Sequence, residues 1–504
     1  LEFADIRPLS LIIFLPALGA IIIALLRRPD VRTIRWIAAG FTFASFVLAA
    51  IAYGLFDRSA DAGIQFVEKY SWISQINVHY YLGADGLNLP MVLLTSFLGF
   101  IAVLISWKVT LRPKEYFAYL LILETSILGV FLSLDFLLFF LFWEIELIPM
   151  YFLISRWGYG RKDYSAMKYL IYTIFGSAMM LAGILLLYFK ASPVLPAGAS
   201  AFDMIALRDA GLNADLIPFL SVAFALLLVG FAVKLPVVPF HTWLPDAHTD
   251  APTAVSVMLA GSLLKMGGYG MIRACVSIFP GVAKDFAPVI IVFAVIGVLY
   301  GAAITLRQTD LKRLIAYSSV SHMGYVLLGI FALGHLSLTG ATLQMFAHGI
   351  ITGLLFAMCG LVYEKVHTRH IPSLGGLARN MPVIVVVFTV AGLASLGLPG
   401  TAGFAAEFLT FLGAFRSTAV EGIRIYTIVG LLGVVLTAGY ILWMIEKVFY
   451  REPKAEYEHA KDADLVEKLS TFSLVVAIMV VGIYPRVLTD VISVGTDTVA
   501  RLVP

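Results

Sequence analysis

Four charged residues stand inside long apolar runs, where a charge is least affordable. Glu144 lies in FLLFFLFWEIELIPMYFLI, Lys234 ends AFALLLVGFAVK, and Lys265 sits within VMLAGSLLKMGGYGM. Glu407 follows the glycine and proline break of LASLGLPGTAGFAAEF. A charge near a bilayer centre costs about 2.5 to 3.5 kcal/mol on insertion scales, so each is a functional candidate. Two acids and two bases on four different segments can exchange protons. Burial disfavours the charged form of a lysine and a nearby carboxylate favours it, so withdrawing the carboxylate releases the proton. His322 and His348 fall in neighbouring apolar runs between Lys265 and Glu407 in chain order. A neutral imidazole accepts one proton while donating another, so the pair forms a relay. The competing reading makes these charges structural ion pairs that lock helices together.

Three further acids are weaker candidates. Glu146 is two positions from Glu144, on nearly the opposite face of a continuous helix. Glu124 is alone in its span, and Asp135 belongs to a tight connection where it terminates a helix. Pro149 clashes with the carbonyl of Ile145 and predicts a kink beside Glu144. No close set of His, Cys and carboxylate has metal-ligand spacing. Cys275 and Cys359 lie in separate apolar segments and read as core packing, with neither a disulfide nor an iron–sulfur cluster indicated.

The elements holding these residues follow from composition. The 504 residues are 60% hydrophobic and only 13% charged, with a mean hydropathy of +0.93, against about a quarter charged in soluble domains. Only a lipid-facing exterior accommodates that surface. The apolar stretches have helix-spanning length rather than the alternating pattern of a barrel. The expected fold is all-α and polytopic, with about fourteen helices near 9–26, 34–56, 88–107, 116–134, 136–155, 166–189, 218–249, 252–279, 286–306, 314–334, 338–363, 382–416, 424–448 and 467–487. The first is expected to be a retained span rather than a signal peptide. No stretch matches a Walker A loop, a dinucleotide fingerprint or a haem attachment motif, and no polar stretch is long enough for a catalytic head.

Basic residues concentrate in odd-numbered connections: Arg27, Arg28, Arg32 and Arg35; Lys108, Arg112 and Lys114; Arg156, Arg161 and Lys162; Arg307, Lys312 and Arg313; Lys365, Arg369 and Arg379. By the positive-inside rule these face the cytoplasm and both termini face the other side. The seventh connection, with His241, Asp246, His248 and Asp250, is not basic, which predicts that it folds into the protein. Two segments are too long for one straight crossing. One breaks at Pro236 and Pro239 after Lys234, the other at Gly397, Pro399, Gly400 and Gly403 before Glu407. Broken helices in corresponding positions of two halves point to an inverted-repeat transporter. The expected units are 1–112 (spans one to three), 113–280 (first repeat), 281–450 (second, inverted repeat) and 451–504 (connection and last span).

The stretch FAVKLPVVPFHTWLPDAHTDAPTAVSVMLAGSLLKMGGYGMIR resembles the central motif of the antiporter-like subunits of respiratory complex I. FLLFFLFWEIELIPMYFLI, QTDLKRLIAYSSVSHMGYV and LGLPGTAGFAAEF are similar in type and order, so the likeness covers nearly the whole chain. It implies a fourteen-helix proton-translocating subunit of an NADH-type quinone oxidoreductase in the bacterial inner membrane, with two five-helix inverted repeats. It also implies no redox cofactor in this chain, with NAD, FMN, iron–sulfur clusters and quinone held by partner subunits. Glu407 stands where L-type and N-type subunits and the related sodium/proton antiporter subunits usually carry lysine, and this points to the M-type subunit. The chain also ends soon after its last span, unlike an L-type subunit. The resemblance implies Glu144 and Lys234 as the input-side pair, Lys265 as central relay, His322 and His348 on the connecting path and Glu407 at the exit. Implied partners are the adjacent L-type and N-type subunits, the lateral helix of the L-type subunit and membrane lipid, with no nucleic acid. The alternative is a subunit of a multisubunit sodium/proton antiporter.

Overall fold

A computed structural model describes residues 6–504 except 28, 60–62, 197 and 213–218. Arg28 and the first residue of the expected span 218–249 lie outside the described residues. In chain order the helices begin with α1 (Pro8–Leu25), α2 (Val31–Leu55), α3 (Leu89–Lys108), α4 (Pro113–Leu132), α5 (Phe136–Trp157) and α6 (Lys162–Ala191). A shorter α7 (Leu220–Lys234) and a two-turn α8 (Trp243–Asp250) follow. Next come α9 (Thr253–Val276), α10 (Pro280–Thr305), α11 (Leu311–Phe331) and α12 (His335–Val366). A second short pair, α13 (Pro382–Ser395) and α14 (Ala402–Arg416), precedes α15 (Ile423–Tyr450), α16 (Leu465–Ile483) and α17 (Arg486–Ala500). Among the described residues, twelve helices are long and apolar enough to cross a membrane, and α7 and α13 are shorter apolar helices.

Acidic residues start several spans because a carboxylate can accept from the free N–H groups of a first helical turn. Asp30 accepts from Thr33 at 3.0 Å, Asp135 from Leu137 at 2.9 Å, and Asp310 from Arg313 at 2.9 Å. Asp464 and Glu467 form a reciprocal capping box on α16. Burial then ranks the helices. The apolar stretch of α9 is entirely buried and those of α11 and α12 nearly so, whereas α2, α6, α15 and α16 turn most of their residues outward. Lys265, His322 and His348 therefore lie on the three innermost helices.

Two elements go beyond the all-α expectation. β1 (Gln65–Ile73) pairs antiparallel with β2 (Val78–Ala84), with Lys69 opposite Tyr81. This hairpin is pinned across the end of the bundle opposite the basic connections. The Glu68 carboxylate accepts from Leu9 N–H at 2.8 Å, Lys69 pairs with Asp203 at 2.6 Å, and Asp135 accepts from His79 N–H at 3.1 Å. The last expected span, 467–487, ends at Ile483, and Pro485 separates it from α17. That helix lies over the starts of α3 and α12, where Gly86 and Gly495 come into backbone contact and Thr496 bonds Thr339 at 2.7 Å. At the opposite, basic end Lys108 of α3 binds Glu364 of α12 at 2.7 Å and Asp464 at 3.0 Å, tying three helices together.

Candidate functional site

The expected span 218–249 is two helices, α7 and α8, because two prolines follow Lys234. Pro236 cannot donate to Ala232, and the Ala232 carbonyl takes the Val237 N–H at 2.9 Å instead. Val233 thereby loses its own partner, and the indole of Trp243, from the start of α8, donates to its carbonyl at 2.9 Å. The broken backbone is satisfied from within the protein, as hydrocarbon requires. It also leaves Lys234 on the last turn of α7, pointing into a box of aromatic rings. Its ammonium lies 5.3 Å from the centre of the Trp143 ring and 5.4 Å from that of Tyr169.

The carboxylate in that box belongs to Glu146. Glu146 is fully buried, pairs directly with Lys234, and accepts from the Tyr169 hydroxyl at 2.6 Å. This corrects the expected Glu144–Lys234 pair. The two acids do lie on opposite faces, as their spacing predicts, but it is the Glu146 face that turns inward; α5 is interrupted at Glu146, where Phe136–Ile145 ends and Leu147–Trp157 begins. Pro149, three residues on, cannot supply a donor to the turn before it. Glu144 is half-buried on the outer face between the exposed Leu141 and Ile148, and one of its oxygens is without a hydrogen-bond partner. Its charge still reaches Lys234, so the lysine has one carboxylate in contact and another further out.

Lys265 occupies the middle of α9, between two π-helical segments, Leu259–Leu263 and Met271–Val276. Such bulges recur at functional sites because they disturb the regular backbone ladder. Here the Ala260 carbonyl accepts from the Lys265 ammonium. Among the described residues Lys265 forms no ion pair; its other neighbour is His348 Nδ1 of α12 at 2.8 Å. The His348 ring is 5.6 Å from that of His322 on α11, and His348 Nε2 has no hydrogen-bond partner. His322 Nδ1 then lies 3.4 Å from Glu407 Oε1. Lys265, His348, His322 and Glu407, expected from polar residues in apolar runs and from the family resemblance, thus follow one another along a buried line. Lys234 stands at its head, on α7 against α9: a β-carbon on Gly267 would reach the Leu235 nitrogen at 2.7 Å.

Glu407 is positioned by the second break. Expected as one segment, 382–416 divides into α13 and α14 at Gly397, Pro399 and Gly400. Gly397 and Gly400 have φ of 79° and 92°, which L side chains rarely adopt. Leu398 N–H closes the end of α13 on the Leu393 carbonyl at 3.0 Å. A β-carbon on Gly397 would come 2.7 Å from Glu407 Oε2, so the carboxylate rests on the glycine.

The weaker candidates separate cleanly. Asp135 is a buried cap whose carboxyl is pushed up to about 6, chiefly by burial and against the pull of its backbone donors. Glu124 is buried against Gly99 with one oxygen unpartnered. The seventh connection is folded inside, as its lack of basic residues predicts. Asp246 binds Lys168 at 2.7 Å, and Asp250 accepts from Ser165 at 2.6 Å. His248, which the sequence marked only as part of that connection, is fully buried against Phe356, and neither ring nitrogen has a partner. Both cysteines are free and buried. No group of three or more His, Cys, Asp or Glu among the described residues could hold a metal ion.

A family model described as NADH:quinone oxidoreductase/Mrp antiporter, TM matches residues 133–437, a stretch that contains all six residues of the expected path and Glu146. The chain belongs to this family. Among its relatives, NAD(P)H-quinone oxidoreductase chain 4 1 of Synechococcus elongatus is 42% identical over 497 residues, covering 98% of this chain and 91% of the relative. NADH-quinone oxidoreductase subunit M of Rhodobacter capsulatus is 39% identical over 510 residues, covering 98% and 96%. A chain of respiratory complex I from Thermus thermophilus, solved with bound NADH, superposes with a TM-score of 0.86 at 25% identity, covering 98% of this chain and all of that one. A chain of the Mrp complex from Dietzia sp. gives the same TM-score at 21% identity, covering 100% and 98%, and shares the fold. The fold is therefore shared with chains of a respiratory complex I and of an Mrp complex.

Proposed function

We propose that this chain is the M-type proton-translocating subunit of a quinone-reducing complex I, driven by electron transfer in partner chains. The contact line from Lys265 through His348 and His322 to Glu407, headed by the Lys234–Glu146 pair, carries the reading. Withdrawing the Glu146 carboxylate leaves the Lys234 ammonium unneutralised in an apolar box and favours loss of its proton. Lys234 passes that proton to Lys265. His348 Nδ1 accepts it from Lys265 and the ring releases its other proton from Nε2 toward His322. His322 delivers to Glu407, whose carboxyl discharges it on the far side. Glu144, half-buried on the outer face of α5, is the group a neighbouring subunit reaches to perturb the pair.

Counting α7 with α8 and α13 with α14 as single crossings, with the twelve long helices, gives fourteen spans. On this reading 113–280 and 281–450 are inverted five-helix repeats, each with one broken span, preceded by 1–112 and followed by 451–504. The basic connections face the cytoplasm, the termini face the opposite side, and the membrane is the bacterial inner membrane. L-type and N-type subunits flank the chain, with the lateral helix of the L-type subunit alongside. NAD, FMN, iron–sulfur clusters and quinone belong to other chains. The relatives near 40% identity are quinone oxidoreductase subunits, which favours this reading over a sodium/proton antiporter.

The test is proton uptake coupled to quinone reduction by the assembled complex in inverted membrane vesicles. Lys265→Met and Glu407→Gln are expected to abolish coupled uptake at normal assembly. Full uptake in either variant removes this path, and sodium-driven proton exchange without quinone points to the antiporter.

A further inference from the structure

A lateral path through Lys265 works only if the proton has no shorter way out along α9. Toward the hairpin end of that helix, Tyr269 and Arg273 follow Lys265 at four-residue steps, which places the three side chains along one face. Arg273 lies about 12 Å beyond Lys265 along the axis. The Tyr269 hydroxyl accepts from Arg273 Nε at 3.2 Å, and the guanidinium sits 5.4 Å from the centre of its ring. A hydroxyl both accepts and donates a proton, so this face of α9 is a ladder leading straight out of the line.

The ladder ends on a buried ion pair. Arg273 is 3% exposed and pairs with Asp85, just before α3. Asp85 is itself fixed, since its other oxygen accepts from the N–H groups of Leu87 at 3.0 Å and Asn88 at 3.1 Å. Beyond the pair, a cavity of about 80 Å³ lies under α17 among Asp85, Arg208, Arg273, Gly495 and Thr498. It is polar and roomy enough to hold water. Arg208 pairs with the exposed Asp209 at 2.7 Å, so the far wall of the cavity stands at the aqueous face. Two guanidinium groups and one carboxylate line this cavity, which leaves its wall positive.

The choice of arginine at the junction is chemical. An ion pair that only tied α9 to α3 would be replaceable by apolar packing at little cost. A guanidinium does not deprotonate in a protein, so it holds its charge and passes no proton on. A fixed positive charge at a polar constriction is an electrostatic barrier to protons.

We infer that Arg273 is the barrier residue of the path: its permanent charge closes the direct route from Lys265 to the aqueous face at the hairpin end. Protons then leave Lys265 only through His348, His322 and Glu407. The inference rests on the proposed path through Lys265. Without the charge, the Tyr269 hydroxyl joins the Lys265 amine to the cavity, and a proton gradient drives protons back along α9.

Purified complex in liposomes tests this, with the decay of an imposed pH gradient measured without electron donor or quinone. Arg273→Met is expected to speed the decay about tenfold or more per assembled complex. Because it strands Asp85, a second variant combines Arg273→Gln with Asp85→Asn, which leaves neither charge buried, and the same leak is expected. Asp85→Asn alone breaks the same ion pair but keeps the guanidinium, and its decay should stay within about twofold of the parent. Adding Lys265→Met to the leaking variant should return the decay to the parent rate. Parent-like decay in the neutral double variant overturns the inference. So does an equal leak in Asp85→Asn, since the lost pair and not the lost charge would then open the route. A leak that survives Lys265→Met lies outside the path and overturns it as well. Failure of the path itself reads differently: coupled proton uptake then persists in Lys265→Met alone.

Discussion

The two broken helices hold their charged residues in opposite ways. At the first, proline makes the break, a tryptophan indole repairs the backbone, and Lys234 meets a fully buried carboxylate inside a box of rings. At the second, glycine makes the break, and the Glu407 carboxylate lies over Gly397 with a histidine nitrogen 3.4 Å away and, among the described residues, no lysine paired with it. A buried ion pair recovers little more than its own desolvation cost, yet removing one partner strands the other at a high penalty. The first break therefore stores a charge that is hard to move without a trigger. The second holds a single acid that can load and unload. One backbone device serves two purposes because different residues repair it.

The largest test of that contrast is Glu146→Gln. It strands Lys234 in an apolar box, which costs about 3–5 kcal/mol, and it is expected to abolish coupled uptake and lower the melting temperature of the complex. Glu144→Gln leaves the contact pair intact and is expected to cost less than half as much in stability. Equal losses in melting temperature for the two variants would return the pairing to Glu144. Next in size is His348→Phe, which keeps a ring between α9 and α11 but removes the nitrogen 2.8 Å from Lys265. Losing a positioned proton-transfer group costs about 10²–10⁴-fold in rate. Coupled uptake should fall by at least the lower figure while the Lys234 box stays folded, since no group of that box touches His348. A loss below tenfold would mean that the two breaks communicate by another route.

How far the sequence could be read depended on which signals are local. A charged residue in an apolar run is visible without a structure, and for that reason Lys234, Lys265 and Glu407 were legible. Their helices were legible too, because bilayer thickness sets a length. Pairing was not. The two-residue spacing puts Glu144 and Glu146 on opposite faces, as they are, but one dimension does not show which face turns to Lys234. The burial of Lys312 is not legible either, since side-chain direction at a helix start is invisible in a run of basic residues. The hairpin was within reach: 65–84 is rich in aromatic and β-branched residues around Asn77, a strand pattern that gives way to nothing helical. His248 had no such signal, since a buried, unpartnered imidazole looks like any other histidine in one dimension.

Smaller effects probe how tightly each break is built. Tyr169→Phe removes the 2.6 Å hydrogen bond to Glu146 and leaves the ring in place. A bond to a charged group is worth about 1.5–3 kcal/mol, so the Lys234 box should lose about tenfold or more of its hold on the carboxylate. The expected readout is uncoupled quinone reduction with less proton uptake per electron. Unchanged coupling would mean that the hydroxyl only fills space.

The finest test lies at the second break, where two glycines share a left-handed backbone but not a neighbour. Gly397→Ala carries a backbone penalty of about 1–2 kcal/mol and also pushes a methyl group onto Glu407 Oε2. Gly400→Ala carries a comparable backbone penalty at φ 92°, with open space around the new methyl group. Both should lower stability by a similar amount. Only Gly397→Ala should also slow proton delivery from His322 to Glu407, by about five- to thirty-fold if the displaced contact is worth one to two kcal/mol. If both variants slow uptake equally, the carboxylate does not depend on its seat over Gly397. The second break would then be a hinge rather than a cradle, and its contrast with the first would rest on charge alone.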